Sequence, residues 1–322
     1  MSLTPRRARL SALAKINLGL KVLGRRADGY HDLRTVFQTV SLADALEVEF
    51  TPARSTSISV RSEPEIPGNL VERAARLALD AMRVTGRAEF RLKKRIPMGA
   101  GLGGGSSDAA AVLLALPVLA GRRLPLATLM ETASCLGSDV PFFLLGGTAI
   151  ALGRGTEVYP LADRPAAAGV LVAPAVHVAT AEAYQALGRG SGELTSAALQ
   201  DMISGFQSCV WELGQALPGT AAPAAGENDF ESVVFSRHPQ LRSLKRRLEK
   251  LGANPAMLSG SGSALFGLFA GRGEAERARQ SILKEQVFVI SLVSRARYRA
   301  LWWRRLSPHI AGKVWPPQSR YV

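Results

Sequence analysis

The chain has 322 residues, of which 47% are hydrophobic and 20% charged, a composition typical of a globular protein large enough for two domains. No apolar run reaches the roughly 18 residues that a membrane span needs, because Pro117 interrupts the longest one, at 109–120. The net charge of +14 is compatible with anionic substrates and with nucleic acid.

Two features of the sequence predict a location inside the cell. Lys15 and Asn17 interrupt the apolar stretch that a signal peptide would need after its basic start. The two cysteines, Cys135 and Cys209, have neither the spacing of metal ligands nor enough partners for a disulfide framework. We therefore expect two buried thiols in a reducing compartment, which favours the cytoplasm.

Strands and helices alternate in the predicted structure of the first half. Period-two alternation predicts strands, and apolar residues three and four apart predict helices. The strands are expected at 46–50, 57–61, 89–93 and 148–152, and the helices at 69–82, 106–116 and 125–136. Pro117 is expected to end the second helix, because proline has no N–H to donate.

A segment rich in proline and alanine, 160–174, is the expected boundary between two domains. Beyond it we expect helices at 180–187, 197–213 and 238–251, strands at 169–176, 255–258, 264–269 and 286–293, and loops at 188–192 and 218–226. The pattern predicts an α+β protein with an N-terminal domain at 1–163, a C-terminal domain at 164–294 and a tail at 295–322.

The tail contains half of the excess positive charge. Seven lysines and arginines and no acidic residue follow Ser291, interleaved with tryptophan, tyrosine and proline. Two interpretations are open: a surface that binds nucleic acid, or a terminal extension, packed or poorly ordered, whose charge has no specific role. We expect truncation after residue 294 to separate them, because a nucleic-acid binder would lose salt-dependent affinity and an enzyme would keep its activity.

The most informative stretch is 97–111, which has five glycines within the seven positions 99–105. Such glycines leave backbone N–H groups free to surround a polyanion, and Ser106 and Ser107 then begin a predicted helix whose N-terminus favours phosphate. Three other glycine-rich nucleotide-binding patterns are excluded, because the residues that accompany each of them are absent. The dinucleotide-binding pattern lacks its downstream acid, the P-loop lacks its lysine, and the protein-kinase pattern lacks its HRD and DFG companions.

The stretch resembles the second motif of the GHMP kinases, a family named after galactokinase, homoserine kinase, mevalonate kinase and phosphomevalonate kinase. The blocks Ala-Lys-Ile-Asn-Leu-Gly-Leu at 14–20 and Leu-Ser-Gly-Ser-Gly-Ser-Ala at 258–264 are similar to its first and third motifs. The resemblance implies a two-domain GHMP kinase fold, with an N-terminal domain like the second domain of ribosomal protein S5 and a ferredoxin-like C-terminal domain. It also implies ATP as co-substrate and Mg²⁺, with Ser107 the hydroxyl near the metal. The implied ATP-binding residues are Pro97, Met98, Gly99, Ala100, Gly101, Leu102, Gly103, Gly104, Gly105, Ser106 and Ser107.

A further block, Arg-Arg-Ala-Asp-Gly-Tyr-His-Asp-Leu at 25–33, resembles the part of one GHMP kinase subgroup that lies at a cytosine base. The resemblance implies phosphorylation of the 2-hydroxyl of a cytidine diphosphate-linked methylerythritol, a step of non-mevalonate isoprenoid biosynthesis. Tyr30 and His31 fit that substrate, because an aromatic face stacks on a base and an imidazole hydrogen-bonds its edge. Without the neighbouring motifs, a Tyr-His pair would be an ordinary surface or core feature.

Asp139 is the candidate proton acceptor of the reaction. It lies between a predicted helix end and a Pro-Phe-Phe run, so we expect partial burial, and a buried carboxylate needs a cation or a hydrogen-bond donor. The resemblance assigns Lys15 as that cation, which would keep Asp139 ionised while it takes the proton of the attacking hydroxyl. The alternative is an aspartate that caps a turn or a helix.

Three further residues are predicted to contact the substrate. Asn17 is two positions beyond Lys15, so on an extended segment both side chains lie on the same side. Thr180 and Tyr184 are four apart on a predicted helix and match the family's substrate-side threonine and aromatic residue. The expected partners are small molecules, with neither a membrane nor a nucleic acid. A homoserine- or mevalonate-type GHMP kinase and a nucleic-acid-binding protein remain the alternatives.

Overall fold

The computed structural model describes residues 4–188 and 227–321, and its N-terminal part is built on a six-stranded sheet. The strands are β1 (Arg6–Arg25), β2 (His31–Pro52), β3 (Ser57–Glu63), β4 (Gly86–Lys93), β5 (Thr148–Leu152) and β6 (Glu157–Pro160). Their order is β3-β4-β2-β5-β6, and β1 pairs with β2 outside this path. β1 and β2 form an antiparallel hairpin over nearly their whole length, much longer than the strand expected at 46–50.

Four helices complete this part: α1 (Leu70–Met82), α2 (Gly104–Ala120), α3 (Leu126–Leu136) and α4 (Val140–Leu145). α2 packs against α1, α4, β1 and β2. It is buried on all sides from Ser107 to Leu119, as expected of a helix that is apolar all round. The helix continues past Pro117, where the sequence predicted its end, because a proline in the last turn removes only one backbone hydrogen bond.

The C-terminal part has a four-stranded sheet made of β7 (Ala168–Ala173), β8 (Ala256–Leu258), β9 (Leu265–Phe269) and β10 (Gln286–Ser291). Its order is β10-β7-β9-β8, and every neighbouring pair is antiparallel. Three described helices lie between β7 and β8, namely α5 (Thr180–Ala186), α6 (Phe230–Arg237) and α7 (Pro239–Lys250), and α8 (Arg272–Ser281) lies between β9 and β10. This is the β-α-β-β-α-β arrangement of ferredoxin-like domains.

Several expectations for the second half differ from these elements or lie beyond them. α6 and α8 were not predicted, whereas β7 overlaps the strand expected at 169–176. The helix expected at 197–213, the loop at 218–226, most of the loop at 188–192 and Cys209 lie outside the described residues. Cys135 is exposed, contrary to expectation, because α3 turns Leu129, Ala133 and Leu136 inward instead.

The tail packs on the N-terminal part of the molecule. Its helix α9 (Arg295–Leu306) buries Tyr298, Trp302 and Leu306 in the same core as α2 and α4. Truncation after residue 294 would remove these core side chains, so loss of activity in that variant would not separate the two interpretations of the tail. None of the helices in the described ranges is both long and apolar enough to cross a membrane.

A separate hydrophobic core joins the two sheets. Ala14 and Ile16 of β1 pack there with Phe266 of β9, and Ala100 and Leu102 of the glycine loop belong to the same core. The first strand, the glycine loop and the second sheet therefore meet at one place.

Candidate active site

The glycine loop, residues 97–107, leads into the N-terminus of α2. The first N–H groups of an α-helix have no partner within the helix. The N-cap residue of α2 is Gly103, which has no side chain to accept a hydrogen bond from them. Ala100 and Leu102 are buried in the core between the sheets and anchor the loop. With these side chains turned inward, the loop offers mainly its backbone to a ligand, which is the chemistry that binds phosphate at helix N-termini.

The glycine-rich turn between β8 and β9 holds the loop in place. Ser259 Oγ donates to the carbonyl of Gly101 at 3.0 Å, and the N–H of Ala264 donates to the carbonyl of Ala100 at 3.2 Å. Gly101 has a φ of +77°, and a Cβ at this position would lie 2.1 Å from the carbonyl oxygen of Ser259. Glycine is therefore required here by both conformation and space.

Lys15 lies on β1, next to an irregularity in the pairing of β1 with β2. Its ammonium donates to Asn17 Oδ1 at 2.8 Å, and Asn17 Nδ2 donates to Thr35 Oγ1 at 2.7 Å. The hydroxyl of Thr35 in turn donates to the carbonyl of Gly19 at 2.7 Å. Asn17, predicted to contact substrate, thus also fixes the position of the Lys15 ammonium.

Asp139 immediately precedes α4, and its side chain makes no capping hydrogen bond, so the capping alternative is not what the structure shows. Asp139 Oδ2 is 3.3 Å from Lys15 Nζ. The side chain of Lys15 is 4% exposed and that of Asp139 is 31% exposed. The ammonium is therefore enclosed by protein, whereas the carboxylate remains accessible to a ligand.

Residues from several distant segments line one cavity of about 880 Å³. Those predicted from the sequence are Lys15, Asn17, Tyr30, His31, Gly101, Ser106, Asp139, Thr180 and Tyr184. Gly101 and Ser106 are the part of the glycine loop that reaches this cavity in the described structure, whereas Met98 is 59% exposed and lies outside its lining. The structure thus brings the predicted catalytic pair and the predicted substrate residues together.

Aromatic rings form another part of the cavity wall. The rings of His31 and Tyr184 are stacked, with centroids 4.6 Å apart and an interplanar angle of 21°. Tyr30 lies apart from this stack, 52% exposed, with the guanidinium of Arg154 4.1 Å from its ring centroid. Thr180 Oγ1 is 3.0 Å from Ser261 Oγ, which links α5 to the turn that supports the glycine loop.

The surroundings of the two stacked rings favour the uncharged form of each. Burial, together with the positive charge of Arg25, lowers the pKa of His31 below its ordinary value of 6.5. Burial, with the negative charge of Asp139 adding to it, raises the pKa of Tyr184 to about 12. A neutral imidazole has one donor nitrogen and one acceptor nitrogen, which is the pattern needed to recognise the edge of a base.

Comparisons with known proteins agree with this geometry. The sequence matches the family models GHMP kinases N terminal domain, at residues 69–147, and GHMP kinases C terminal, at 212–287. It is 59% identical to the 4-diphosphocytidyl-2-C-methyl-D-erythritol kinase of Solibacter usitatus over 99% of both chains. This chain belongs to the GHMP kinase family. Another GHMP kinase, the 4-diphosphocytidyl-2-C-methyl-D-erythritol kinase of Pelotomaculum thermopropionicum, is 43% identical over 84% of this chain and 90% of its own length.

Solved structures of GHMP kinases share the fold. A crystal structure of 4-(cytidine 5'-diphospho)-2C-methyl-D-erythritol kinase matches with a TM-score of 0.72 and 37% identity, over 88% of this chain and 98% of that one. The homoserine kinase of Cytophaga hutchinsonii matches with a TM-score of 0.66 and 19% identity, over 91% of this chain and 99% of that one, a likeness of fold alone. The family and two-domain fold predictions are therefore confirmed.

The two serines at the start of α2 have different surroundings in this GHMP kinase. Ser107 is 2% exposed, and its hydroxyl donates to the carbonyl of Leu13 at 2.7 Å. Ser106 lines the cavity. Since a hydroxyl must reach the cavity to approach a bound ligand, Ser106 is better placed than Ser107 for the role predicted for the latter.

Sequence reasoning missed several residues that line the cavity. Arg25 and Arg154 add positive charge to its wall, and Thr35 and Ser138 add hydroxyl groups. Arg25 falls within the block that resembles the cytosine-binding segment, so the sequence contained a pointer to it. Arg154 lies in a short turn between two strands, and no pattern in the sequence marks it as functional.

A second group of charged residues lies beneath the glycine loop and was also missed. Lys94 Nζ is 2.7 Å from Asp108 Oδ2 and also bonds Asp44, while Asp44 Oδ1 accepts the N–H groups of Arg95 and Ile96 at 2.6 and 2.8 Å. None of the three ionisable side chains is more than 6% exposed. Burial, opposed by Lys94 and reinforced by Asp44, raises the pKa of Asp108 to about 7.

Proposed function

We propose that this GHMP kinase transfers the γ-phosphoryl group of ATP to the 2-hydroxyl of 4-diphosphocytidyl-2-C-methyl-D-erythritol, in the cytoplasm and in the non-mevalonate route to isoprenoid precursors. The observation that supports this most directly is the Lys15–Asp139 pair, 3.3 Å apart, in the same cavity as the stacked His31 and Tyr184. A relative with this name matches over 99% of the chain at 59% identity.

The glycine loop supplies the site for the phosphates of ATP. Its free N–H groups at the start of α2 and the positive end of the helix dipole both favour a polyanion. The buried residues Ala100 and Leu102, and the bonds from Ser259 and Ala264, hold the backbone in place. A loop fixed in advance loses little conformational entropy when phosphate binds.

The residues present fit a magnesium ion that binds together with the nucleotide. Within the described ranges no cluster of three or more His, Cys, Asp or Glu side chains forms a metal site. Mg²⁺ is commonly held by substrate phosphates, waters and one or two protein oxygens, which Ser106 and Asp139 of the cavity wall would provide. When bound, the ion neutralises charge on the β- and γ-phosphates.

Asp139 and Lys15 act on the acceptor hydroxyl. Asp139 accepts its proton as the oxygen attacks the γ-phosphorus, and the bond from that phosphorus to the ADP oxygen breaks. Lys15 stabilises the ionised carboxylate and the negative charge that develops on the transferred group. Because Asn17 and Thr35 fix the Lys15 ammonium, little reorganisation is needed during the reaction.

The aromatic rings of the cavity wall select the substrate. His31 and Tyr184 form a flat apolar surface on which a pyrimidine can stack, and the neutral imidazole can bond its edge. Arg25 and Arg154 line the same cavity, where a diphosphate would benefit from positive charge. Homoserine and mevalonate contain neither a base nor a diphosphate and would leave these groups unused.

The decisive experiment is a coupled assay of ADP release with 4-diphosphocytidyl-2-C-methyl-D-erythritol as acceptor. Homoserine and mevalonate, at the same concentrations, are the matched alternatives for the other members of the family. We expect turnover only with the cytidine-containing acceptor and its loss in Lys15→Ala and Asp139→Asn. Turnover with homoserine or mevalonate instead would refute the proposed substrate while leaving the kinase chemistry intact.

A further inference from the structure

We propose that the C-terminal tail positions Asp139 for catalysis, with Tyr298 and Trp315 as positioning residues that act through α4. The inference rests on the proposed function, because it takes Asp139 to be the group that accepts the proton. It gives a role to a segment that the sequence marked only by its charge and its aromatic residues.

The first observation is how the tail bonds α4, the helix that begins directly after Asp139. α4 has only six residues, and a helix of that length is not stable by itself in water. Its last carbonyls have no partners within the helix. The tail supplies two of them: Tyr298 Oη donates to the carbonyl of Phe143 at 2.6 Å, and Trp315 Nε1 donates to the carbonyl of Leu144 at 2.9 Å.

The second observation is the close fit between the tail and the turn that follows α4. Gly146 has a φ of +68°, and a Cβ there would lie 2.3 Å from the ring of Tyr298. A Cβ at Gly147 would lie 2.7 Å from Cβ of Arg295. Arg295 is itself held by Asp163, which accepts its backbone N–H at 2.8 Å. The end of α4 and the next turn are therefore fixed against one face of the tail.

The third observation concerns what else holds Asp139. Its side chain makes no capping hydrogen bond, and its ion pair with Lys15 leaves it 31% exposed. The position of the carboxylate thus depends mainly on the backbone of α4, which α2 and α3 pack from the side and the tail bonds at its last carbonyls. The phenol of Tyr298 keeps its proton and remains a hydrogen-bond donor, because complete burial raises its pKa well above the usual range.

The test uses two substitutions that each remove one donor and leave an aromatic ring, the same ring in Tyr298→Phe and a smaller one in Trp315→Phe. Tyr298→Phe removes the hydroxyl that bonds Phe143, and Trp315→Phe removes the indole N–H that bonds Leu144. Trp303→Phe is the matched control, because the Trp303 indole donates to Val314 within the tail and not to α4. For each variant the melting temperature is measured first. The kcat, the KM for both substrates and the ATP affinity are then measured well below it.

We expect each of the two variants to lower kcat by about tenfold, since even small displacements of a reacting group are costly. The KM for ATP and the ATP affinity should stay as in wild type, and Trp303→Phe should leave kcat unchanged. In an Asp139→Asn background, Tyr298→Phe should lower the residual kcat by less than about twofold, because residues that act through one group are not additive.

Two results would overturn the inference. A lower melting temperature with unchanged kcat in Tyr298→Phe and Trp315→Phe would mean that the tail only stabilises the fold. A full tenfold effect of Tyr298→Phe in the Asp139→Asn background would mean that the tail acts through another group. Failure of the proposed function is a different outcome, because wild type itself would then release no ADP with the cytidine-containing acceptor.

Discussion

Two consecutive glycines of the loop lie against two different lysines. A Cβ on Gly103 would be 3.1 Å from Cγ of Lys15, and one on Gly104 would be 3.1 Å from Nζ of Lys94. Lys15 pairs with Asp139, which is 31% exposed, whereas Lys94 pairs with Asp44 and Asp108, which are at most 2% exposed. Ammonium and carboxylate groups therefore meet in two places. Lys15 and Asp139 form an accessible pair, the open pair, and Lys94, Asp44 and Asp108 form a buried group, the closed cluster.

The difference in access separates the roles of the two groups. In the closed cluster all three side chains are buried, so they contribute to the position of the loop and to stability. In the open pair one carboxylate oxygen remains for a ligand, so its ions can take part in chemistry. We therefore expect substitutions in the open pair to change turnover and substitutions in the closed cluster to change the free energy of unfolding.

The largest expected effect is on turnover. Asp139→Asn keeps the shape of the side chain but removes the proton acceptor, so kcat should fall by about 10²–10⁴. Lys15→Ala should lower kcat by a similar factor, with ATP affinity retained in both variants. The measurement is the ADP-release assay with an ATP-binding titration, and Asp80→Asn, at an exposed position of α1, is the control. Near-normal turnover in Asp139→Asn would remove its role as base.

The next effect is on stability. Lys94→Met leaves two buried carboxylates without their cation, which should lower the free energy of unfolding by about 3–5 kcal/mol in a urea titration. Lys15→Met should cost less, because Asp139 can be solvated from the cavity. Equal losses in the two variants would show that the open and closed groups do not differ in the way that their exposure indicates.

The contrast between the two groups also shows what sequence patterns reveal. Lys15 and Asp139 belong to contiguous motifs, and the glycine loop is marked by composition alone. Lys94 lies in the run Lys93-Lys94-Arg95, which is typical of a solvated surface. Its partners, Asp44 and Asp108, come from two other elements, so only the folded arrangement brings the three charges together.

The predicted fold was incomplete for similar reasons. Most of β1 between residues 12 and 20 is buried, so the strand has no alternation of apolar and polar residues to reveal it. α6 and α4 have only eight and six residues, too few to show a clear period, and half of the ten residues of α8 are charged. The comparisons confirm the family, the fold and the kinase activity, whereas the roles of individual residues and the domain bounds stay predictions.

A third prediction uses the pH dependence of the closed cluster. A carboxyl group whose pKa is higher in the folded chain binds its proton more tightly there, so the free energy of unfolding falls as pH rises. For Asp108 the window extends from its ordinary value of 3.8 to about 7. Asp108→Asn should lack this pH dependence. Between pH 5 and pH 7 its free energy of unfolding, measured by urea titration, should therefore rise by about 1–2 kcal/mol relative to that of wild type. An identical pH profile in both proteins would contradict the raised pKa.

The smallest expected effect is on KM and concerns the aromatic rings that line the same cavity as the open pair. His31→Phe keeps an aromatic ring beside Tyr184 but removes the two imidazole nitrogens that would bond a base. Losing about one hydrogen bond, or about 1 kcal/mol, should raise KM for the cytidine-containing acceptor about fivefold and leave kcat, KM for ATP and the melting temperature unchanged. Because the pKa of His31 is lowered below 6.5, the KM of the wild-type enzyme for this acceptor should change little as pH rises from 7 to 8. If His31→Phe instead lowered stability and left KM unchanged, His31 would be a structural residue like those of the closed cluster.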